Sequence, residues 1–386
     1  MRLSQRMARL GTETAFEVLV RARALEAKGR SVVHLEIGEP DFDTPAHISD
    51  AAMAALKGGA THYGPAAGLP ELRAAVAADS TRRRGVRATP EMVVVTPGGK
   101  PIMFFTILAL IDEGDEVLYP NPGFPIYESM IRYIGGTPVP VRLLEEKAFE
   151  LDVDQLVSRV SNRTRLIILN YPQNPTGGTI PESGLRAIAA AASKFGIPVL
   201  SDEIYGRILY GGQHTSIAAM PGMEPLAMIL DGFSKTYAMT GWRLGYGIMP
   251  APMAQVIAKL QTNATSCTST FSQLAAVEAL QGDQSSVDRM VAEFKRRRDA
   301  IVDGLRAIPG FKCVRPKGAF YVFPNITGTG YSARALADRL LDEAGVACLS
   351  GTAFGEFGEG HLRFSYATSM ENIEEALRRI REHLER

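Results

Sequence analysis

A serine and a lysine stand side by side at Ser234 and Lys235, and an arginine follows at Arg243. A lysine amine can condense with an aldehyde to form a Schiff base. A serine hydroxyl can hydrogen-bond a phosphate, and a guanidinium can bind the same group through two parallel hydrogen bonds. The stretch therefore suits a cofactor that carries both a carbonyl and a phosphate. Most lysines are solvated surface charges, so the pair alone does not indicate a cofactor site. The surrounding sequence has to show whether Lys235 lies in one.

Several polar or glycine residues follow short apolar runs that are typical of buried strands. Lys235 comes after the run 226–230, Asp202 after 197–200, Asn174 after 166–170, and Gly98, Gly99 and Lys100 after 92–96. Helical patterns separate these runs, and strands that alternate with helices predict a mostly parallel, doubly wound α/β sheet. Ligands bind at the carboxyl ends of the strands in such sheets. The pattern therefore predicts that these residues converge on one site.

The loop Gly98-Gly99-Lys100 lies where a strand passes into a helix. Backbone N–H groups at such a junction attract anions, and the helix dipole adds to the attraction. We therefore expect a phosphate cradle here, although a simple helix start would show the same pattern. The loop is neither a Walker loop nor a GxGxxG motif. A nicotinamide-dependent dehydrogenase would need GxGxxG after its first strand, so that alternative is disfavoured.

Bulk properties exclude several classes of function. The chain has 386 residues, with 42 Lys and Arg against 42 Asp and Glu. This length suggests roughly two domains, and the balanced charge gives no field that would attract nucleic acid or an anionic membrane. No apolar run approaches the roughly 20 residues that span a bilayer. Three scattered cysteines lack metal-ligand spacing, so we expect no metal site and a cytoplasmic location.

The C-terminal part of the chain changes pattern. A helix at 287–308 precedes a strand at 319–323, a helix, a strand that ends near Gly351 and a strand at 361–366. Such a tail after a doubly wound region predicts a second, smaller α+β domain. The basic run 295–298 within the first helix predicts a solvated helix face.

Taken in order, the motifs resemble those of the class I/II aminotransferases, which are fold-type I pyridoxal-phosphate enzymes, and within them the bacterial aspartate-type aminotransferases. The resemblance runs from Gly38 to the C-terminal helix. It rests on Asn-Pro-Thr-Gly at 174–177, Ser-Asp-Glu-Ile-Tyr at 201–205, Ser-Lys at 234–235, Gly-Trp-Arg-Leu-Gly at 241–245 and the late Arg363. It implies a large cofactor-binding domain at 46–283 and a small domain formed by 1–45 and 284–386.

The resemblance also implies a role for each residue. Lys235 would hold pyridoxal 5'-phosphate as a Schiff base and act as the general base. Asp202 would face the pyridine nitrogen, Asn174 and Tyr205 the phenolic oxygen, and Phe124 the ring face. Residues of the phosphate site would be Gly98, Gly99, Lys100, Ser234 and Arg243, with Tyr63 from the neighbouring subunit of a homodimer. Substrate would contact Gly38, Asn174, Lys100 and Arg363, the last as the clamp on the α-carboxylate.

The sequence leaves the identity of the amino donor open. In aspartate aminotransferases of the resembled subgroup, a lysine at the position of Lys100 binds the distal carboxylate, which favours aspartate or glutamate. Against this, Glu17 beside Phe16 in the covering amino-terminal segment would repel a second carboxylate. Phe124 also replaces a tryptophan that many aspartate enzymes have. An aromatic or neutral donor, with 2-oxoglutarate as acceptor, is therefore the other possibility.

Two further alternatives share much of this sequence. A pyridoxal-phosphate carbon–sulfur β-lyase on the same fold would use nearly all of the residues above. A non-catalytic regulator with an aminotransferase-like body would carry an added basic DNA-binding domain, and none is recognisable here. The complete set of Lys235, Asp202 and Arg363 also favours an enzyme over a binding module.

Overall fold

A computed structural model of the chain describes residues 1–385. Its helices are α1 (Thr14–Glu26), α2 (Ala46–Lys57), α3 (Pro70–Arg84), α4 (Lys100–Leu110), α5 (Ile126–Ile134), α6 (Val153–Ser158), α7 (Glu182–Phe195), α8 (Ala251–Thr265), α9 (Thr270–Gln281), α10 (Ser285–Arg306), α11 (Ala333–Arg339) and α12 (Met370–Leu384). Its strands are β1 (Val33–His34), β2 (Val93–Thr96), β3 (Glu116–Asn121), β4 (Thr137–Arg142), β5 (Thr164–Asn170), β6 (Val199–Asp202), β7 (Ala227–Gly232), β8 (Gly245–Ile248), β9 (Tyr321–Val322), β10 (Val346–Ala347), β11 (Leu349–Ser350) and β12 (Leu362–Ser365). Within the described residues, no helix is both long and apolar enough to cross a bilayer.

A seven-stranded sheet forms the centre of the larger part of the molecule, in the order β2-β8-β7-β6-β5-β3-β4. The neighbours from β7 through β4 pair in parallel, and β8 is antiparallel to both β7 and β2. Helices cover both faces, because alternate strand residues enter different apolar clusters: Ile168 packs with α4, α5 and α8, and Ile167 with α7. The predicted α/β fold with a mostly parallel, doubly wound sheet is confirmed.

The carboxyl ends of the central strands bring their last residues together. Asn170 ends β5 and Asp202 ends β6, and the two are paired in register. Asp202 is in turn in register with Leu230 of β7, which leads into the loop that carries Lys235. The short apolar strands therefore place Asn170 and Asp202 side by side at the edge from which the loop to Lys235 begins.

The C-terminal part of the chain contributes two further, smaller sheets. Strands β11, β12 and β9 form an antiparallel sheet, and β1 pairs in parallel with β10. Helix α1 joins this part, since Ala22 packs with Leu341 and Ala347. On this packing we propose two domains with the boundaries expected from the sequence, 46–283 and 1–45 with 284–386.

Two strands differ from what the sequence predicts. The predicted strand 319–323 shortens to β9. Strand β4 was not predicted, because Pro138 and Pro140 interrupt its pattern. It lies at the sheet edge, where a proline can be accommodated without loss of a ladder hydrogen bond.

The basic run 295–298 on α10 is only partly a solvated face. Arg297 and Arg298 are buried, so the prediction is wrong for these two residues. Arg297 donates to Asp41 Oδ1 at 2.7 Å and lies 5.1 Å from the centroid of the Phe42 ring. Arg298 stacks on Tyr210 at 4.6 Å. Since Asp41 and Phe42 follow Gly38, α10 fixes the segment that borders the site described below.

Candidate active site

A cavity of about 540 Å³ opens at the carboxyl edge of the central sheet. Most of the predicted site residues line it: Gly38, Gly99, Lys100, Phe124, Asn174, Asp202, Tyr205, Ser234, Lys235, Arg243 and Arg363. The remaining two, Gly98 and Tyr63, do not. Residues far apart in sequence therefore meet in one cavity, as the strand ends predict.

Lys235 projects into this cavity from the loop after β7. Its Nζ donates to the backbone carbonyl of Gly38 and lies 5.9 Å from the centroid of the Phe320 ring. Removal from water disfavours the ammonium form, so burial lowers the pKa of Lys235 to about 8. A neutral amine is the nucleophilic form, and this environment makes it accessible close to physiological pH.

Asp202 lies on the floor of the cavity at the end of β6. Its Oδ2 accepts a 2.6 Å hydrogen bond from the Tyr127 hydroxyl, and its Oδ1 accepts from the Ile204 N–H at 3.2 Å. Burial raises the pKa of Asp202 to about 6, and the nearby acids Asp231 and Glu203 act in the same direction. A cation beside a buried carboxyl group stabilises its ionised form. Asp202 is therefore suited to a protonated ring nitrogen.

Arg363 of β12 enters the cavity from the C-terminal part of the chain. Its Nη1 donates to Asn174 Oδ1 at 3.1 Å, and its Nη2 donates to the backbone carbonyl of Glu36. The guanidinium lies 4.6 Å from the centroid of the Tyr321 ring. Its Nε is buried and has no hydrogen-bond partner among residues 1–385. A buried cation without a carboxylate partner is suited to bind the carboxylate of a substrate.

A second anion site is built where β2 passes into α4. Gly99, Ser234 and Arg243 line this end of the cavity, and the helix amino terminus adds its dipole. Gly98 has φ +85°, and a Cβ atom there would lie 2.3 Å from Nη2 of Arg243. Gly98 therefore contributes by leaving room for the guanidinium rather than by lining the cavity. This donor set fits a phosphate.

Lys100 and Glu13 form an ion pair at the outer side of the cavity. The Lys100 ammonium also lies 5.5 Å from the centroid of the Phe124 ring. Phe16 lines the cavity, but Glu17 is exposed and does not. The prediction that Glu17 would repel a substrate carboxylate is therefore wrong. Glu13 precedes the first turn of α1 with extended backbone and faces Lys100, whereas Glu17 lies within the first turn and is exposed.

The family model described as "Aminotransferase class I and II" matches residues 30–380. The chain belongs to the class I and II aminotransferases. Its relatives include the probable aspartate/prephenate aminotransferase of Aquifex aeolicus, 40% identical over 99% of this chain and 98% of that protein. The aspartate aminotransferase of Geobacillus stearothermophilus is 38% identical over 100% of this chain and 99% of that one.

Solved structures agree with this membership. The aspartate aminotransferase from Thermus thermophilus with maleate matches with a TM-score of 0.95 and 39% identity, covering 99% of this chain and 100% of that one. The aromatic aminotransferase from Pyrococcus horikoshii OT3 matches with a TM-score of 0.90 and 40% identity, covering 95% and 98%. The chain is therefore an enzyme that transfers amino groups. These relatives give no support for the β-lyase alternative.

Class I and II aminotransferases depend on pyridoxal phosphate, and the residues of this aminotransferase fit that cofactor. The cavity offers an amine for the carbonyl at Lys235 and a carboxyl for the ring nitrogen at Asp202. It also offers the anion site between Gly99 and Arg243 for the phosphate. The chemistry of the donor set matches each end of the cofactor.

The sequence motifs missed three residues of this aminotransferase site. Tyr127 lies at the start of α5, three residues after Phe124, with its ring against that of Phe124, and its hydroxyl donates to Asp202. Tyr321 donates to or accepts from the Tyr205 hydroxyl at 2.8 Å. A Cβ atom on Gly38 would lie 2.0 Å from the Tyr321 hydroxyl, so glycine is required there. The third, Glu13, lies before the recognisable motifs.

Proposed function

We propose that this aminotransferase moves the amino group of a dicarboxylic L-amino acid, aspartate or glutamate, to 2-oxoglutarate. The observation that carries this proposal is a pair of cations, Arg363 and Lys100, that line one cavity from different parts of the chain. Two cations suit the two carboxylates of such a substrate. In support, the Thermus thermophilus structure contains maleate, which is a dicarboxylate.

We propose aromatic or neutral L-amino acids as a second class of donor. Lys100 is already neutralised by Glu13, so a side chain without charge would not meet an unpaired cation. The rings of Phe16, Phe124 and Tyr321 line the same cavity and could contact an aromatic side chain. The Pyrococcus horikoshii relative is named an aromatic aminotransferase, which supports this second class.

Pyridoxal phosphate, when bound, supplies an electron sink for the substrate amino acid. Asp202 would keep the ring nitrogen protonated, and Tyr127 would hold the carboxylate in place through its 2.6 Å hydrogen bond. Asn174 and Tyr205 would hydrogen-bond the phenolic oxygen, and Phe124 would contact the ring face. The phosphate would be held by Ser234, Arg243 and the backbone N–H groups of Gly99 and Lys100.

The proton transfer would fall to Lys235. Its neutral Nζ would accept the proton of the substrate Cα, because burial lowers the pKa and makes the free base accessible close to physiological pH. Arg363 would hold the α-carboxylate and so fix Cα within reach of that amine. Gly38, whose carbonyl already accepts from Nζ, would border the same carboxylate.

Steady-state assays with a panel of donors test the proposed substrates. Each of aspartate, glutamate, phenylalanine and alanine is paired with a suitable 2-oxo acid, and the 2-oxo acid product is measured. The proposal expects the highest kcat/KM for the dicarboxylic donors and measurable turnover of phenylalanine. Turnover confined to alanine would overturn it. Release of pyruvate from a β-substituted cysteine without any 2-oxo acid would point instead to the lyase.

We propose that the enzyme is a homodimer in which Tyr63 completes the neighbouring site. Tyr63 is 90% exposed and lies outside the cavity of its own chain. Met53 and Leu56, three residues apart on α2, are also exposed, and a partner subunit could cover both. We also propose a cytoplasmic location, since the cysteines Cys267, Cys313 and Cys348 are free thiols.

Hybrid dimers test the contribution of Tyr63. Tyr63→Ala alone is expected to weaken pyridoxal-phosphate binding about tenfold, because a hydrogen bond to a charged group is worth about 1.5–3 kcal/mol. A hybrid of one Tyr63→Ala subunit and one Lys235→Ala subunit then has one intact site and one doubly defective site. We expect this hybrid to show about half of the wild-type activity, measured on dimers purified through two different tags. At a pyridoxal-phosphate concentration near the wild-type Kd, where the Tyr63→Ala homodimer is mostly without cofactor, a hybrid no more active than that homodimer would contradict the assignment.

A further inference from the structure

The carboxylate of Glu13 faces the cationic side of the cavity. It pairs with Lys100, and its charge also acts on Lys235 and Arg363, raising the pKa of each against the effect of burial. The Glu13 side chain is only 19% exposed, against 51% for Lys100. A protein carboxylate therefore lies beside Lys100 and close enough to act on Lys235 and Arg363, where a second substrate carboxylate would be attracted.

Glu13 is held there by the segment that precedes α1. The Gly11 N–H donates to Ser129 Oγ at 2.9 Å, and that hydroxyl donates back to the Gly11 carbonyl at 3.0 Å. Arg9 donates to the carbonyl of Tyr133 at 3.2 Å. These contacts tie the segment to α5 and keep Glu13 beside Lys100.

The side chain of Glu13 has no other structural role in the helix it precedes. Glu13 is the N-cap residue of α1, but its side chain makes no capping hydrogen bond. Its carboxylate can therefore leave Lys100 without loss of a cap, and the backbone contacts of Gly11 can remain. This separates the electrostatic role of Glu13 from the folding of the segment.

We propose that Glu13 is a specificity-determining residue, whose carboxylate occupies Lys100 until the distal carboxylate of a dicarboxylic substrate displaces it. The inference rests on the proposed function. Two carboxylates beside one ammonium repel each other, so a dicarboxylic substrate binds only as Glu13 withdraws. A neutral or aromatic side chain leaves the pair intact and does not bury an unpaired lysine. Glu13 thus lowers the preference for acidic donors and permits both classes in one cavity.

Binding of non-reactive carboxylates to the holoenzyme tests this inference. Succinate stands for the dicarboxylic substrate and 3-phenylpropionate for the aromatic one, and calorimetry gives the Kd of each. We expect Glu13→Gln to bind succinate about tenfold more tightly and to change the Kd of 3-phenylpropionate less than threefold. The kcat/KM for aspartate should rise by a similar factor. Glu17→Gln, on the exposed side of the same helix, is the matched control and should change neither Kd.

A second variant shows whether Glu13 acts through Lys100. In a Lys100→Met background, the gain from Glu13→Gln is expected to fall below twofold. Unchanged or weaker succinate binding by Glu13→Gln in an enzyme that transaminates normally would overturn the inference and leave the proposed function standing. A wild-type holoenzyme that transaminates no donor would overturn the proposed function, whatever its affinity for succinate.

Discussion

Replacement of Lys235 by alanine is expected to lower kcat by at least about 10⁴-fold, the upper range for loss of a positioned general base. The loss should be larger than for any other single side chain, because this amine both attaches the cofactor and moves the proton. The measurement is steady-state turnover of aspartate with 2-oxoglutarate, together with the visible absorbance of the purified protein. The alanine variant should be colourless or hold the cofactor only loosely.

The control for this variant is Lys194→Ala, an exposed lysine on α7 outside the cavity. It should keep both colour and turnover. If Lys235→Ala retained more than about a hundredth of the wild-type kcat, the assignment of Lys235 would be contradicted. A circular dichroism spectrum equal to that of the wild type separates loss of chemistry from loss of fold.

The same lysine has a pH signature in the cofactor-free protein. With a pKa of about 8, about one-tenth of the Lys235 amine is neutral at pH 7 and about nine-tenths at pH 9. The rate at which the amine captures the pyridoxal-phosphate carbonyl should therefore rise about tenfold between these values and then level. A rate that keeps rising steeply above pH 9 would show an ordinary lysine instead.

Replacement of Arg363 by alanine is the second large effect. It is expected to raise KM for amino acids roughly 10²-fold or more, since loss of one partner of a buried, hydrogen-bonded charge pair costs about 2–5 kcal/mol. Arg363 is 4% exposed, so water cannot replace the guanidinium effectively. Cofactor absorbance should be retained because the phosphate and ring contacts come from other residues. The measurement is KM against kcat for aspartate and phenylalanine.

A lysine at the same position distinguishes a clamp from a simple charge. Arg363→Lys keeps the charge but loses the two-pronged geometry, so it should recover only part of the affinity. Arg334→Ala, on the exposed surface of α11, is the control and should leave KM unchanged. An unchanged KM for both donors in Arg363→Ala would place the α-carboxylate site elsewhere.

The convergence of the central residues could be predicted because the fold encodes it locally. Asn174, Asp202 and Lys235 each follow a short apolar strand, and parallel strands place such positions at one edge. The phosphate end could be predicted for the same reason, since Gly98 and Gly99 mark a close passage from strand to helix. Arg363 was recognisable only through its resemblance to the family, because an isolated arginine on a strand has no local signal.

The other features of the site depend on contacts between segments that are far apart in the sequence. Local sequence patterns do not indicate such contacts. Tyr321 meets Gly38 and Tyr205 only after the C-terminal part folds onto the sheet. The charges at Arg297 and Arg298 are buried because acidic and aromatic side chains from elsewhere cover them. Glu13 and Glu17 are four residues apart, so helical spacing alone would place them on one face. Glu13 faces Lys100 because it precedes α1 with extended backbone, which the sequence did not show.

The most direct test of the central assignment is the visible absorbance of the purified holoenzyme before and after addition of L-glutamate without any 2-oxo acid. We expect a yellow protein whose visible absorbance falls as the amino group passes to the cofactor, with one equivalent of 2-oxoglutarate released per site. Subsequent addition of a 2-oxo acid should restore the colour. A colourless protein that takes up no added pyridoxal phosphate would contradict the account.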